Sequence, residues 1–319
     1  MTNTIDMTEW LDFIEGEYLS SFIRAGGSAV KFAIAEEEKR TALRYALESR
    51  SRKQDYIFVM LNSAEMRAHM PQDIFFALAS QIDWRKLSRR LILRLLAGRS
   101  YRIEGIDLSD TGNILDAVAK LNGVDSEYLL ITDFRPLLTE NVFSNRNIAK
   151  TFRVAMTHLC NAEAVAQETF SAQPVIDWLT GTNTRIGAVR PFQIFTPINR
   201  TTARYFIESA LTWVGEAGFS GTVVFLDNSR ILLKRNPHDG KRYYTKAMVI
   251  DHYEVLREFI DEMDRMPRAL LLAATDSDFV DDDHRARGWG IYSALKTRVM
   301  DDVRDRSVAN PAAALVRIS

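Results

Sequence analysis

Five short apolar runs limit what this chain can fold into. They are residues 29–35 (AVKFAIA), 56–61 (YIFVML), 222–226 (TVVFL), 269–274 (ALLLAA) and 314–318 (ALVRI). Each is strand-length and aliphatic, β-branched or aromatic, and none strictly alternates apolar with polar residues. That pattern suits parallel strands covered on both faces. Helical periodicity separates them. Residues 36–50 carry Leu43 and Leu47 at i,i+4, with Ala42 and Ala46 beside them. Residues 201–217 group Tyr205, Ala210, Leu211 and Val214, and residues 249–266 place Val249, Tyr253, Leu256, Phe259, Ile260 and Met263 on one stripe. Strands alternating with helices predict an α/β fold: a parallel sheet with helices on both faces. Residues 63–190 break the alternation and read as a long, mostly helical insertion. The apolar run at 128–131 within it fits strand or helix equally. The expected organisation is a first part of the core at 1–62, the insertion at 63–190 and the rest of the core at 191–319.

Composition narrows the function classes. Of 319 residues, 46% are hydrophobic and 26% charged, with a net charge of -1, so no global basic field points to nucleic acid. Cys160 is the only cysteine, which excludes an intrachain disulfide and a CxxC zinc site. His69, His158, His238, His252 and His284 lack metal-ligand spacing and read as surface or capping residues; no metal site is expected. The N-terminus has acidic residues and no long apolar run, and no window approaches a membrane span. A cytoplasmic protein with no membrane association is the expectation.

The ends of the apolar runs hold the informative residues. In FSGTVVFLDN, four apolar residues run into Asp227-Asn228. An Asp at such a strand end helps to hold Mg²⁺ in P-loop ATPases, where an adjacent Glu commonly polarises the attacking water. Asn228 cannot accept a proton at neutral pH. A buried strand ending in an Asp-Asn turn accounts for these two residues equally well. After the first run, a phosphate loop would need glycines and a Lys. Instead Ala35 is followed by Glu36, Glu37, Glu38, Lys39, Arg40 and Thr41, and no Gly-Lys-Ser/Thr occurs anywhere. Three carboxylates oppose a triphosphate but sit well at a helix N-terminus. In LLLAATDSDF, Thr275 or Asp276 stands where such folds place a nucleotide-sensing group. The acidic residues that follow lack an EF-hand pattern and read as a solvated loop.

These segments also carry a family resemblance. FIESALTWVGEAGFSGTVVFLDNSRIL looks like the helix and Walker B strand of the BREX phage-defence P-loop proteins BrxC and BrxD, BrxD above all. HYEVLREFIDEMDRMPRALLLAATDSDFVDDDHRARGWGIYSALKTRV resembles their next helix, sensor strand and Y-x-A-L-x-x-R segment, here Tyr292, Ala294, Leu295 and Arg298. FIRAGGSAVKFAIA and VIDWLTG are similar to further stretches of those proteins. The resemblance covers roughly residues 10–60 and 174–319. It implies an AAA+-like P-loop NTPase core, a DNA-related role and a place in phage defence. The chain departs from the pattern at EEEKRT and at Asp227-Asn228, and it stops where a C-terminal helical lid would follow. The expected degenerate nucleotide pocket is therefore Ala35, Glu36, Glu37, Glu38, Lys39, Arg40, Thr41, Asp227, Asn228, Thr275 and Arg298, with no catalytic residue.

Residues 84–102, WRKLSRRLILRLLAGRSYR, form a second candidate site. On a helix, Lys86, Arg90 and Arg94 share a face, Arg85 and Arg89 flank it, and Leu87, Leu91, Ile92 and Leu95 lie opposite. Such a face could neutralise phosphates, dock an acidic partner or pair with the protein's own carboxylates. The leading expectation is a catalytically silent, ATPase-like accessory or regulatory subunit. It would bind an ATPase or effector subunit, or a second copy of itself, and possible further contacts include non-specific DNA. It needs no cofactor; ATP and Mg²⁺ would enter only through a rebuilt pocket. Two alternatives stand beside it: a divergent active ATPase using Lys39 or Arg40, and a DNA-binding accessory protein with no nucleotide role.

Overall fold

The computed structural model describes residues 4–109, 113–124, 127–165, 171–300 and 309–319. In chain order its helices are α1 (Met7–Phe13, continued as a π-helix over Ile14–Phe22), α2 (Glu37–Lys53), α3 (Pro71–Ala79), α4 (Trp84–Ala97), α5 (Ile114–Asn122), α6 (Glu127–Leu138), α7 (Lys150–Ala164), α8 (Gln173–Thr180), α9 (Ile186–Val189), α10 (Ala203–Glu216), α11 (Lys246–Asp261) and α12 (Ser293–Val299). The strands are β1 (Ser28–Ile34), β2 (Tyr56–Asn62), β3 (Gly221–Asp227), β4 (Ala269–Thr275) and β5 (Leu315–Arg317). The chain divides into two compact units, one of residues 1–78 and 219–319, the other of residues 79–218.

All five strands lie in the first unit, in the order β2-β3-β4-β1-β5, and every pairing is parallel. The apolar runs at 29–35, 56–61, 222–226, 269–274 and 314–318 each overlap one. Side chains alternate between faces. On one face Ala33, Phe58, Phe225, Leu270, Leu272 and Val316 form a core with Leu43 and Leu47 of α2 and Trp10 of α1. On the other, Phe32 stacks on Phe279 with ring centroids 5.4 Å apart, and Tyr253 of α11 meets Phe279 edge-on. Burial on both faces explains the near-continuous hydrophobicity of the strands. Gly221, with φ of 153°, opens β3 where a Cβ would come within 2.2 Å of the Arg268 carbonyl oxygen.

The strand order creates a switch point. The connection leaving β1 runs to β2 at one edge, whereas those leaving β2, β3 and β4 run the other way. Adjacent strands β1 and β4 thus send their chains to opposite faces, and open α/β sheets form their crevice at the carboxyl ends of such a pair. The residues there are Ala35-Glu36 and Thr275-Asp276, with Asp227-Asn228 beside them at the end of β3.

The second unit is helical. Trp84 of α4 packs edge-on against Phe152 of α7, and Trp178 of α8 against Phe206 of α10. Asp83 caps α4 by accepting from the Lys86 amide at 2.9 Å, and Asn113 caps α5. The ambiguous run at 128–131 lies in α6, where Leu130 is buried while Tyr128 and Leu129 are exposed.

Candidate functional site at the carboxyl end of the sheet

β1 passes into α2 through only two residues, Ala35 and Glu36. Glu36 is the N-cap in extended conformation, and Glu37 and Glu38 occupy the first turn, where carboxylates interact well with the helix dipole. Glu36, Glu37, Glu38, Lys39 and Thr41 are all exposed. A phosphate-wrapping loop needs several glycine-permitted turns that aim successive N–H groups inward. A two-residue connection has no such run, and the Ala35 amide is already bonded to the Thr275 carbonyl at 2.9 Å.

Arg40 is the buried member of EEEKRT. It stands at the i position of a stripe continued by Leu43 and Leu47, so the helical period turns it inward. Its Nη1 donates to the Ala35 carbonyl at 2.7 Å, and its Nε lies 3.9 Å from Oδ1 of Asp227. That Asp227 oxygen also accepts from the Ser229 amide at 3.0 Å and the Ser229 hydroxyl at 2.7 Å. Asp276 caps the turn at Ser277–Val280 by accepting from the Asp278 amide. Burial raises the Asp276 carboxyl above its ordinary range, with Asp227 adding to the rise and Arg40 opposing it. One guanidinium thus serves the two carboxylates that end β3 and β4.

Asn228 is fully buried, and its amide donates to the Ala274 carbonyl at 2.8 Å. Its Oδ1 lies 2.6 Å from His252 Nε2, while His252 Nδ1 lies 2.8 Å from the Ala68 carbonyl oxygen. Burial lowers the His252 pKa to about 4, so the ring is neutral and has a single N–H. With that proton on Nδ1 for Ala68, Nε2 is an acceptor. The amide of Asn228 satisfies it when rotated so that Nδ2, otherwise unpartnered, is the donor. Against their reading as surface or capping residues, His252 is fully buried and His69 nearly so. Tyr244 completes the arrangement, its hydroxyl 2.7 Å from the Ser63 carbonyl oxygen and 2.6 Å from that of Met66, and accepting from the Ala68 amide. His252 opens the family-like stretch HYEVLREF without any role attached to it, and no motif marked Tyr244.

Thr275 is buried at the end of β4, and its hydroxyl has no partner among the described residues. Arg298 is not brought into this group. Its Nε pairs with Asp261, the last residue of α11, and its Nη1 donates to the Ala294 carbonyl at 2.9 Å. Since α11 leads from there into the start of β4, Arg298 stands at the opposite end of the sheet from Asp227. Tyr292 bonds Glu254, and Arg257 bridges Glu254 and Asp261, so the Y-x-A-L-x-x-R residues clasp α12 to α11.

Four of the α4 arginines find partners within the protein. Arg89 is buried, its Nε 2.6 Å from Oε2 of Glu163, and Arg85 binds the other oxygen of that carboxylate at 2.5 Å. Arg90 donates to the Gly218 carbonyl at 2.8 Å, and Arg94 to that of Glu216. Lys86 is exposed. The buried Glu163 on α7 draws two of the arginines inward.

Compared with known proteins, residues 127–319 match the family described as BREX system ATP-binding protein BrxC/D. The chain belongs to the BrxC/BrxD family. No curated protein and no solved structure matches it. The matched range contains Asp227-Asn228, Thr275 and Arg298 and excludes EEEKRT. Among the described residues, no helix is long and apolar enough to cross a membrane, and no group of three or more His, Cys, Asp or Glu is placed to hold a metal ion. ATP, which the family description implies, fits these residues poorly: Glu36 ends a two-residue turn that Glu37 and Glu38 follow, and the Arg40 guanidinium already lies 3.9 Å from Asp227.

Proposed function

We propose that this BrxC/BrxD family member is a pseudo-ATPase, an accessory or regulatory subunit of a BREX-like defence system that acts by binding other macromolecules. On this reading the sheet is a degenerate AAA+-like core, closest to BrxD, and the helical unit is an insertion in it. The observation that carries the reading is Arg40. An internal guanidinium meets Asp227 where Mg²⁺ and phosphate charge would be balanced in an active relative. The other changes act in the same direction. The β1–α2 turn lacks inward N–H groups, and Asn228, an amide, is held by a neutral His252 and cannot act as a base.

Partners would be an ATPase or effector subunit, or a second copy of the chain. Calorimetric titration with Mg-ATP tests the nucleotide side of the proposal. The expected outcome is binding weaker than about millimolar, corresponding to roughly 4 kcal/mol or less. A micromolar dissociation constant abolished by Asp227→Ala would establish a rebuilt pocket and the divergent-ATPase alternative.

A further inference from the structure

The second unit carries an aromatic and basic surface that neither α4 nor the sheet-end site uses. It gathers around the first turn of α7. Arg153 Nη1 donates to the Phe143 carbonyl at 3.0 Å, which holds Phe143 beside that turn. The Thr151 and Thr196 hydroxyls are 3.1 Å apart, which brings Phe195 to the same place. The Ala149 amide donates to the Ser209 hydroxyl at 3.0 Å, and Ser209 in turn bonds the Tyr205 carbonyl one helical turn earlier. Segments distant in sequence thus present three aromatic side chains to solvent: Phe143 is 52% exposed, Phe195 66% and Tyr205 50%. Arg146 and Lys150 are exposed on the stretch that joins Phe143 to α7, and the Arg204 guanidinium lies over the Tyr205 ring, 5.7 Å from its centre, with its Nε 3.4 Å from the Glu208 carboxylate. The first turn of α7 contains no acidic residue.

We propose that this surface binds single-stranded nucleic acid. Exposed aromatic faces with interleaved cations are what an unpaired strand requires: bases stack on the rings while the cations track the phosphates. A duplex keeps its base faces stacked inside and gains nothing from exposed phenyl rings. An acidic protein would answer the cations but leave three flat rings without a matching π-face. The inference is independent of whether the sheet-end site takes a nucleotide.

Fluorescence anisotropy of the full chain with a labelled oligothymidylate, and with a duplex of equal length, tests it. The single strand should bind more tightly. Its affinity should fall roughly tenfold to twentyfold between about 50 and about 200 mM salt, as expected for about three phosphate contacts. Phe195→Ala with Tyr205→Ala should weaken binding about tenfold or more. Arg146→Glu with Lys150→Glu should weaken it and flatten the salt dependence, whereas Lys86→Glu on α4 should change neither. All these side chains are solvent-facing, and circular dichroism checks that each variant remains folded. No salt-sensitive binding to the single strand, a preference for the duplex, or affinity unchanged in both double variants would overturn the proposal. So would binding of polyglutamate in place of the oligonucleotide.

Discussion

Arg40 Nε lies 3.9 Å from Asp227 Oδ1, at the junction where β1, β3 and β4 end. The distance is at the outer limit of an ion pair, and the Arg40 side chain is only 10% exposed. The guanidinium therefore acts less as a tight bidentate partner than as a fixed positive charge whose field reaches both Asp227 and the half-buried Asp276.

Removing that charge has a predictable consequence. Arg40→Met preserves most of the packing but leaves the mutual repulsion of Asp227 and Asp276 without a cation to offset it. Stability should fall by roughly 1–3 kcal/mol at neutral pH. The loss should shrink as pH is lowered, because protonating a carboxyl whose pKa is raised relieves the repulsion. Urea melts of the variant at pH 7 and pH 5 measure both effects.

His252 predicts a pH dependence of the opposite sign. Its folded pKa is depressed to about 4 from an ordinary 6.5 by burial. Between these values the unfolded chain binds the proton and the folded chain does not, so stability is full above about pH 6.5 and declines as pH falls toward 4. The depression corresponds to on the order of 3 kcal/mol. In thermal melts across this range, His252→Gln should show a shallower slope than the native chain.

The fold was legible wherever burial alone dictates a residue's environment. The five apolar runs became strands because both faces of the sheet are covered, and Leu43 and Leu47 marked the inner face of α2. Arg40 could have been read from the same stripe, since it precedes Leu43 by three residues and Leu47 by seven. The run at 128–131 was too short to show a period, and only the structure places it in a helix. The His252, Asn228 and Ala68 arrangement was out of reach, because its members lie up to 184 residues apart and meet only through tertiary packing. The carboxylate that holds the α4 arginines was out of reach for the same reason: Glu163, which gathers Arg85 and Arg89, lies on another helix.

That cluster gives a stability prediction of its own. Glu163→Ala leaves the buried Arg89 without its carboxylate, and breaking a buried pair from one side costs about 3–5 kcal/mol. Lys86→Ala on the same helix should cost less than about 0.5 kcal/mol. Equal effects in chemical denaturation would mean that Arg89 is not held as described.

The most direct test of a silent sheet-end site is phosphate release from ATP with Mg²⁺, measured with and without DNA, for the native chain and Asp227→Ala. Release is expected at background in every case, with no difference between the two proteins. Turnover above background that Asp227→Ala abolishes would contradict this.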